Sequence, residues 1–509
     1  MEGKRVQDVK LSFNIDGLPI SKSGTDSFWL ILCSEVNSNS VYPVGAFCGK
    51  SKPDDANEFM KEFVDELISL CQNGLPDLNV TVSCENIICD APAKSFAFYL
   101  KGHTGYNSFS KCEIGGIYIS RNVGKKKKKG TVCFPVPKRL KLKTDDGFNR
   151  NYYNDIENGK ETILKLIPNF GCISGVPLDY MHLVLLGVVK KIIQLWVKGP
   201  YRIKLRRHEI NKISKKLNAL RYSAPCEFVR RPRSLWNYTH WKATEFRTFL
   251  LYAAPIVLKG IRQDIYDHFM ILHTAISVLV SDIHLEIPRN IDVCHDLLVR
   301  FVEDFETIYG KKYASHNIHN LLHLCNDVKR FGRLNKFSSF KYENYLSSIK
   351  RWIRKGFHPL EQIVRRYSER ESYLKDTKMK QTLTLNHPHN SGPLDGDCAM
   401  IQKQYKILEK ETFKLNCNEP KNSCVLLKNG VFGQVLNIID CNNEIRLIIK
   451  KINCISQLYD NPDSRCINIY KGILSEEAEF SVPLTNVLSK VWRIPSSKGM
   501  SLLPLQHNV

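Results

Sequence analysis

The sequence predicts an α/β protein with a mixed sheet, interrupted by an all-α segment and followed by a small β-rich domain. Three observations predict it. Residues 9 to 50 hold three strand-like runs separated by hairpin-length loops, then a helix, a strand and a helix. Residues 180 to about 310 carry five amphipathic or apolar helical patterns in succession. From about residue 421 the pattern returns to short β-branched runs bounded by turn residues.

The first run, "LSFNIDGLPI" (Leu11 to Ile20), alternates Leu11, Phe13 and Ile15 on one face and places Asp16 where that strand is expected to end. Asp16-Gly17 is also a strong hairpin-turn signal, so the residues allow a turn acid or a functional acid. "FWLILCSEV" and "VYPVGAFCG" complete a meander. In "DDANEFMKEFVDELISLCQNG", Asp54 or Asp55 can cap a helix whose stripe is Phe59, Phe63, Leu67 and Leu70, and Gly74 stops it. "NVTVSCENIICD" is a strand ending at Asp90, and "APAKSFAFYL" a short helix. Three strands, helix, strand, helix is the order of a ribonuclease H-like fold.

Residues 107 to 150 are looser. They include "GKKKKKG", a five-lysine run whose plainest reading is a solvated loop insertion, with a phosphate-contacting loop containing Lys125, Lys126 and Lys127 as the alternative. Five helices follow, from "MHLVLLGVVKKIIQLWVKG" to "VCHDLLVRFVEDFETIYGKK", and then "ASHNIHNLLHLCNDVKRFG" and "KYENYLSSIKRWIRKG". The expected boundaries are 1–175 for the first part of the core, 176–312 for the helical insertion and 313–375 for the closing helices. A polar linker over 376–420 and a β-barrel-like domain over 421–509 complete the expected order.

Composition narrows the partners. The 509-residue chain carries 74 Lys plus Arg against 51 Asp plus Glu, a net charge of +23 that favours a polyanion, nucleic acid first. Its 17 cysteines contain no Cys-x-x-Cys pair and no run reaches transmembrane length, which argues for reduced thiols inside a cell and against a membrane partner. "PVPKRLKLK" has the composition of a nuclear-import signal or of ordinary basic surface.

Asp16 and Asp90 end the first and fourth strands, which lie side by side in a sheet of this order. Glu343 opens a later helix. Carboxylates at adjacent strand tips repel unless a cation neutralises them. A pair of Mg²⁺ ions about 3.5–4 Å apart serves phosphoryl transfer on nucleic acid, and oxygen donors suit Mg²⁺. On the Glu343 helix, Ser347, Lys350 and Arg354 share the acid's face, so Lys350 and Arg354 are candidates for flanking phosphates. The alternative is an exposed helix with incidental charges.

Together "LSFNIDGLPISKS", "IICDAPAKSF", "KGHTGY", "VPLDYMHLVLLGVVK", "WKATEFRTFLLY" and "HNLLHLCNDVKRFGRLNKFSSFKYENYL" resemble the transposases of CACTA (En/Spm-type) DNA elements of animal genomes, in order across residues 9 to 375. The β-rich tail resembles their C-terminal segment. The resemblance implies a ribonuclease H-like core with a helical insertion and an Asp-Asp-Glu triad for metal-dependent DNA cleavage and strand transfer. The triad falls on Asp16, Asp90 and Glu343, with two Mg²⁺ (or Mn²⁺) ions. Asp179 competes for the second place, but it matches an Asp-x-x-His element, so Asp179 and His182 are expected to be structural.

The resemblance also implies a structural zinc. Here only Cys112 of the cysteine pair remains, since position 109 is Phe109. Cys112, His319 and His323 then form a degenerate site that His316 could complete, or they are polar core residues without metal. An upstream DNA-binding region is expected to be missing. The resemblance implies a nuclear protein acting on double-stranded DNA, both element ends and target, as a homo-oligomer when active. Two further readings stand beside it: a catalytically inactive derivative that binds DNA or a protein partner, and a nuclease of the same fold without transposition.

Overall fold

The computed structural model describes residues 7–20, 26–123, 126–137, 139–153, 156, 159–354, 357–376, 383–394, 403–441 and 444–506. The chain divides into two compact units, residues 1–188 with 291–378, and residues 189–290 with 379–509. It is a mixed α/β protein with a helical middle region and a β-rich C-terminal domain.

The first unit is built on β1 (Gln7–Pro19), β2 (Ser27–Glu35), β3 (Tyr42–Gly49) and β4 (Val80–Ile88), in the order β3-β2-β1-β4. β4 runs parallel to β1 and the other pairs are antiparallel. Helix α1 (Ala56–Asn73) makes the parallel return possible, because parallel neighbours need a crossover connection. Asp55 caps it by accepting from the Asn57 and Glu58 amides, and Gly74 ends it at φ +61°. Met60, Phe63, Val64 and Leu67 of α1 pack on Phe13 and Ile15 of β1, with the Phe13 and Phe63 rings 4.9 Å apart.

The alternation in β1 has a second face. Ser12 and Asn14 are as buried as Phe13 and Ile15. The Phe340–Trp352 helix packs there: the Tyr342 hydroxyl donates to the Ser12 carbonyl at 2.9 Å and contacts Ser12 Oγ at 2.9 Å. Ser12 Oγ donates to Asn86 of β4 at 2.6 Å, and Asn14 Nδ2 donates to the Ile88 carbonyl at 2.9 Å. Polar residues at every second position of β1 thus tie strand to strand and strand to helix.

The hairpin expectation at Asp16-Gly17 is corrected. β1 continues to Pro19, with Asp16 opposite Leu30 and Gly17 opposite Trp29, and the chain reverses after Ile20, whose amide donates to the Asp26 carbonyl at 3.0 Å. Gly17 serves a close approach instead, since a Cβ there would lie 3.2 Å from the Trp29 ring. Lys126 to Lys129 of the five-lysine run lie on a strand and not in a simple loop: Ile117–Val123 (β5) and Lys126–Cys133 (β6) pair antiparallel.

In the second unit, helices such as Arg207–Ser223 and Gln263–Leu279 group with the β-rich segment. The helical segment expected as an independent insertion over 176–312 is therefore shared between the units. Lys490 explains part of the grouping. Its buried ammonium donates to both Glu227 oxygens at 2.8 Å, to the Lys414 carbonyl at 2.6 Å and to Asn422 Oδ1 at 2.8 Å.

The β-rich part closes on itself. Strand Cys424–Leu427 pairs with Phe432–Cys441 and with Val487–Ser496. Glu444–Gln457, Tyr470–Leu474 and Gly499–Pro504 complete an antiparallel ring of six. Closure removes exposed edges. The expected linker 376–420 instead supplies strands Thr384–His389, Lys403–Lys410 and Phe413–Asn416 to this sheet, burying Leu408 and Leu415. Among the described residues no helix is long and apolar enough to cross a membrane.

Candidate active site

Asp16 lies on β1 two positions beyond Asn14, the last residue paired with β4. It therefore continues the polar face of Ser12 and Asn14 to the point where β4 ends. It does not end its strand, as the sequence had implied, but it does stand past the end of the parallel ladder. Its Oδ1 accepts from the Gly17 amide at 2.7 Å. Asp90 follows β4 and caps helix α2 (Ala91–Ala97), accepting from the Ala93 amide at 2.7 Å. Glu343 sits in the first turn of the Phe340–Trp352 helix.

The three acids act on one another. Burial first, then the charges of Asp90 and Glu343, push the Asp16 carboxyl up to about 7. His182 and the Gly17 amide oppose this. A carboxylate disfavoured by burial and by neighbouring acids is a group that a cation would satisfy.

Beside the three acids stand two more charged groups, Asp179 and His182, which the sequence reading had set aside as structural. Asp179 is buried, and its Oδ1 accepts from the Met181 amide at 3.2 Å and the Ser339 amide at 2.8 Å. Its Oδ2 accepts from the His182 amide at 3.0 Å and lies 2.6 Å from His182 Nδ1. His182 Nε2 then faces Glu343 Oε1 at 3.9 Å. Burial by itself would lower the imidazole, but the Asp179 hydrogen bond and charge, with Asp90 and Asp16, raise it to about 9. Burial would raise the Asp179 carboxyl, but His182 and the backbone amides hold it below the usual carboxylate range. Asp179 thus fixes His182, and His182 brings positive charge to the acids.

The Glu343 helix is anchored along its length. Lys341 Nζ donates to Ser34 Oγ at 2.7 Å, Tyr342 reaches Ser12 as described, and Lys350 Nζ donates to the Pro19 carbonyl at 2.7 Å. Lys350, expected as a phosphate contact, is exposed and reaches from the helix to β1. Arg354 is exposed, and its amide donates to Gln362 Oε1 at 2.9 Å. Lys126 and Lys127 lie on β6 opposite Val123 and Asn122, and Lys125 lies outside the described residues.

A second cluster lies elsewhere in this unit. Cys112, His319 and His323 are buried, and their donor atoms lie within 4.8 Å of one another. Cys112 Sγ is 3.3 Å from His319 Nε2, and neither ring nitrogen of His323 has a hydrogen-bond partner among the described residues. Burial lowers His319 to about 4 and His323 to about 3, which favours the neutral imidazoles. Neutral imidazoles and a thiol are zinc donors. His316 is not the fourth. Its Nε2 lies 3.3 Å from the Ser108 carbonyl and its Nδ1 3.1 Å from Asn320 Nδ2, and its ring stacks on Phe109 at 4.4 Å. The Phe109 ring also packs on His319 at 4.6 Å, so the residue that replaces the expected cysteine closes this side of the cluster with carbon.

Comparison with known proteins finds one family model, a domain of unknown function (DUF8592), matching residues 388–505. That segment covers the closed β-ring and strands Lys403–Lys410 and Phe413–Asn416, with only the end of Thr384–His389. No curated protein matches the chain.

Proposed function

We propose that the first unit is a ribonuclease H-like, CACTA transposase-like nuclease core that cleaves DNA and transfers the strand with divalent metal ions. The observation that carries this reading is placement: Asp16 stands just past the β1–β4 ladder, Asp90 follows β4, and Glu343 opens the helix that Tyr342 seats on β1. The parallel β1–β4 pair within the order β3-β2-β1-β4 also supports it.

Asp16, Asp90 and Glu343 would hold Mg²⁺ or Mn²⁺, since carboxylate oxygens with surplus negative charge suit a hard cation. Bound there, a metal pair supplies an activated water or 3′-hydroxyl and stabilises the leaving oxygen. The chain's own residues supply position. Ser12, Asn86 and Asn14 lock β1 to β4, so the backbones carrying Asp16 and Asp90 keep a fixed spacing. Tyr342 seats the Glu343 helix on β1 and Lys341 ties it to Ser34 of β2. His182, held by Asp179, faces Glu343 and offsets the repulsion among the acids. Fixed charges of this kind act without reorganisation during the reaction.

Cys112, His319 and His323 would hold zinc through three protein donors, tying the loop before β5 to the histidine-bearing helices. The substrate is double-stranded DNA, including element ends and target, in the nucleus, and the active form is a homo-oligomer. The net charge of +23 supports a polyanionic substrate. A second reading, a protein that binds DNA without cutting it, is favoured by Phe109 filling the cluster where a fourth donor is expected.

The test is cleavage of nicked and blunt DNA with Mg²⁺ or Mn²⁺, beside Asp16→Asn and Glu343→Gln. Metal-dependent cleavage that disappears in both variants supports the nuclease. Equal DNA binding by all three proteins with no cleavage supports the binding-only reading and rejects the nuclease.

A further inference from the structure

Next to Asp90 the first unit contains a cavity of about 320 Å³. Asp90, Asp179 and His182 form part of its wall, so it opens beside the acids described above. Its volume is at the small end of the roughly 300–1,000 Å³ range of ligand pockets. That excludes a duplex and fits a single small polar molecule with an apolar part.

The lining sorts by chemistry. Lys94 brings a positive charge and His103 a ring nitrogen, both suited to a phosphate oxygen. Leu178 gives an apolar surface. Ser108 and Asn320 are 8% and 3% exposed, and the Ser108 hydroxyl and Asn320 Oδ1 have no hydrogen-bond partner among the described residues. Buried polar atoms without partners cost stability, and such atoms lining a cavity are satisfied by a ligand that enters it. Asn320 Oδ1 accepts only, so it calls for an N–H donor, which a nucleobase edge carries.

We propose that this cavity holds one unstacked nucleotide of the DNA strand lying on the acids, with the phosphate toward Lys94 and the base edge on Ser108 and Asn320. This rests on the reading of Asp16, Asp90 and Glu343 as a nuclease centre. A strand whose phosphate lies at Asp90 has its neighbouring nucleotide at the mouth of the cavity. Seating that nucleotide fixes which phosphate is presented to the acids, as in enzymes that take a base out of the stack.

The experiment measures binding of deoxyadenosine monophosphate (dAMP) by saturation-transfer NMR in magnesium buffer, beside deoxyadenosine and inorganic phosphate alone. The proteins are the full chain, Ser108→Ala, Lys94→Met and Asp16→Asn. The expected result is that dAMP binds the full chain and Asp16→Asn alike and is weakened about tenfold in Ser108→Ala and Lys94→Met, as for loss of one hydrogen bond or charge contact. Ser108→Ala removes one oxygen, so it decides the matter if Lys94→Met does not fold.

Undiminished dAMP binding in both cavity variants overturns the proposal. So does loss of dAMP in Asp16→Asn, which would place the nucleotide on the acids, or binding of inorganic phosphate as tight as dAMP. DNA cleavage without dAMP binding removes the proposal and leaves the nuclease reading intact. Ser108-dependent dAMP binding without cleavage removes the nuclease reading and keeps the cavity as a nucleotide site.

Discussion

The hydroxyl of Tyr342 donates to the carbonyl of Ser12 at 2.9 Å, joining positions 330 residues apart in the chain. Asp16 and Glu343 both lie within four residues of this contact, which makes it the joint that sets one acid against the other. Tyr342→Phe keeps the ring and removes the donor. It is expected to cost about 1–2 kcal/mol of stability and to lower cleavage at saturating metal and DNA. Thermal melting and single-turnover cleavage check the two effects. Unchanged cleavage in a destabilised variant would limit Tyr342 to stability.

Removing one acid should stabilise the metal-free protein. Asp16 is half-buried and repelled by the charges of Asp90 and Glu343, and Asp16→Asn removes that repulsion while keeping the shape. The expected outcome at pH 8 in chelator is a higher melting temperature than the unsubstituted chain, together with loss of the stabilisation that Mn²⁺ gives the unsubstituted chain. A lower melting temperature in chelator would mean that Asp16 is held by attractive contacts instead.

The second unit should lose stability in acid through His273. Its Nδ1 lies 2.7 Å from the Leu250 carbonyl, Nε2 is buried without a partner among the described residues, and burial lowers the group to about 4 from its ordinary 6.5. The folded-state value is depressed, so the unfolded chain binds the proton first. Its stabilising contribution is complete above pH 6.5 and is lost as pH falls through 4. In that window His273→Asn should reduce the slope of stability against pH by about 1.4 kcal/mol per unit, the share of one proton. Urea melts between pH 4 and 7 measure it, and an unchanged slope rejects the assignment.

Lys490→Met should be costly, because it leaves the Glu227 carboxylate buried without its cation. The expected loss is about 3–5 kcal/mol. The double variant Glu227→Leu with Lys490→Met should recover most of it, since an apolar pair of similar size carries no stranded charge. Denaturant melts of the single and double variants give the coupling. Equal losses in both would show that packing, not charge, holds Lys490.

The zinc cluster has a chemical test. Co²⁺ added to reduced, metal-free protein should give a thiolate charge-transfer band that Cys112→Ser and His323→Asn abolish. Phe109→Cys should change the ligand field, because it offers a fourth donor beside His319. Co²⁺ bound with no dependence on Cys112 would place the metal elsewhere.

Much of this was legible in the chain. The element order, α1 with a capping acid at Asp54 or Asp55, of which Asp55 is the cap, and the acids at strand and helix ends follow from pattern and spacing, whereas the Cys112–His319–His323 set came only from the family resemblance. The misreading of Asp16-Gly17 came from local turn chemistry, which tertiary pairing overrode: Trp29 needs the space a glycine leaves. The polar face of β1 was visible as Ser12, Asn14 and Asp16 at every second position. That it is buried depended on a helix more than 300 residues later, beyond any local window. His182 was visible as part of Asp-x-x-His, but its place opposite Glu343 depends on that same packing. The strands within 376–420 were hidden by polar edge composition, since only one face of each is covered.

The most direct measurement of the central claim is Mn²⁺ binding followed by electron paramagnetic resonance. If Asp16, Asp90 and Glu343 form a two-metal centre, the full chain gives the signal of a spin-coupled Mn²⁺ pair, and Asp16→Asn, Asp90→Asn and Glu343→Gln each abolish the coupling. Only uncoupled Mn²⁺, or a coupled signal that survives all three substitutions, would contradict it.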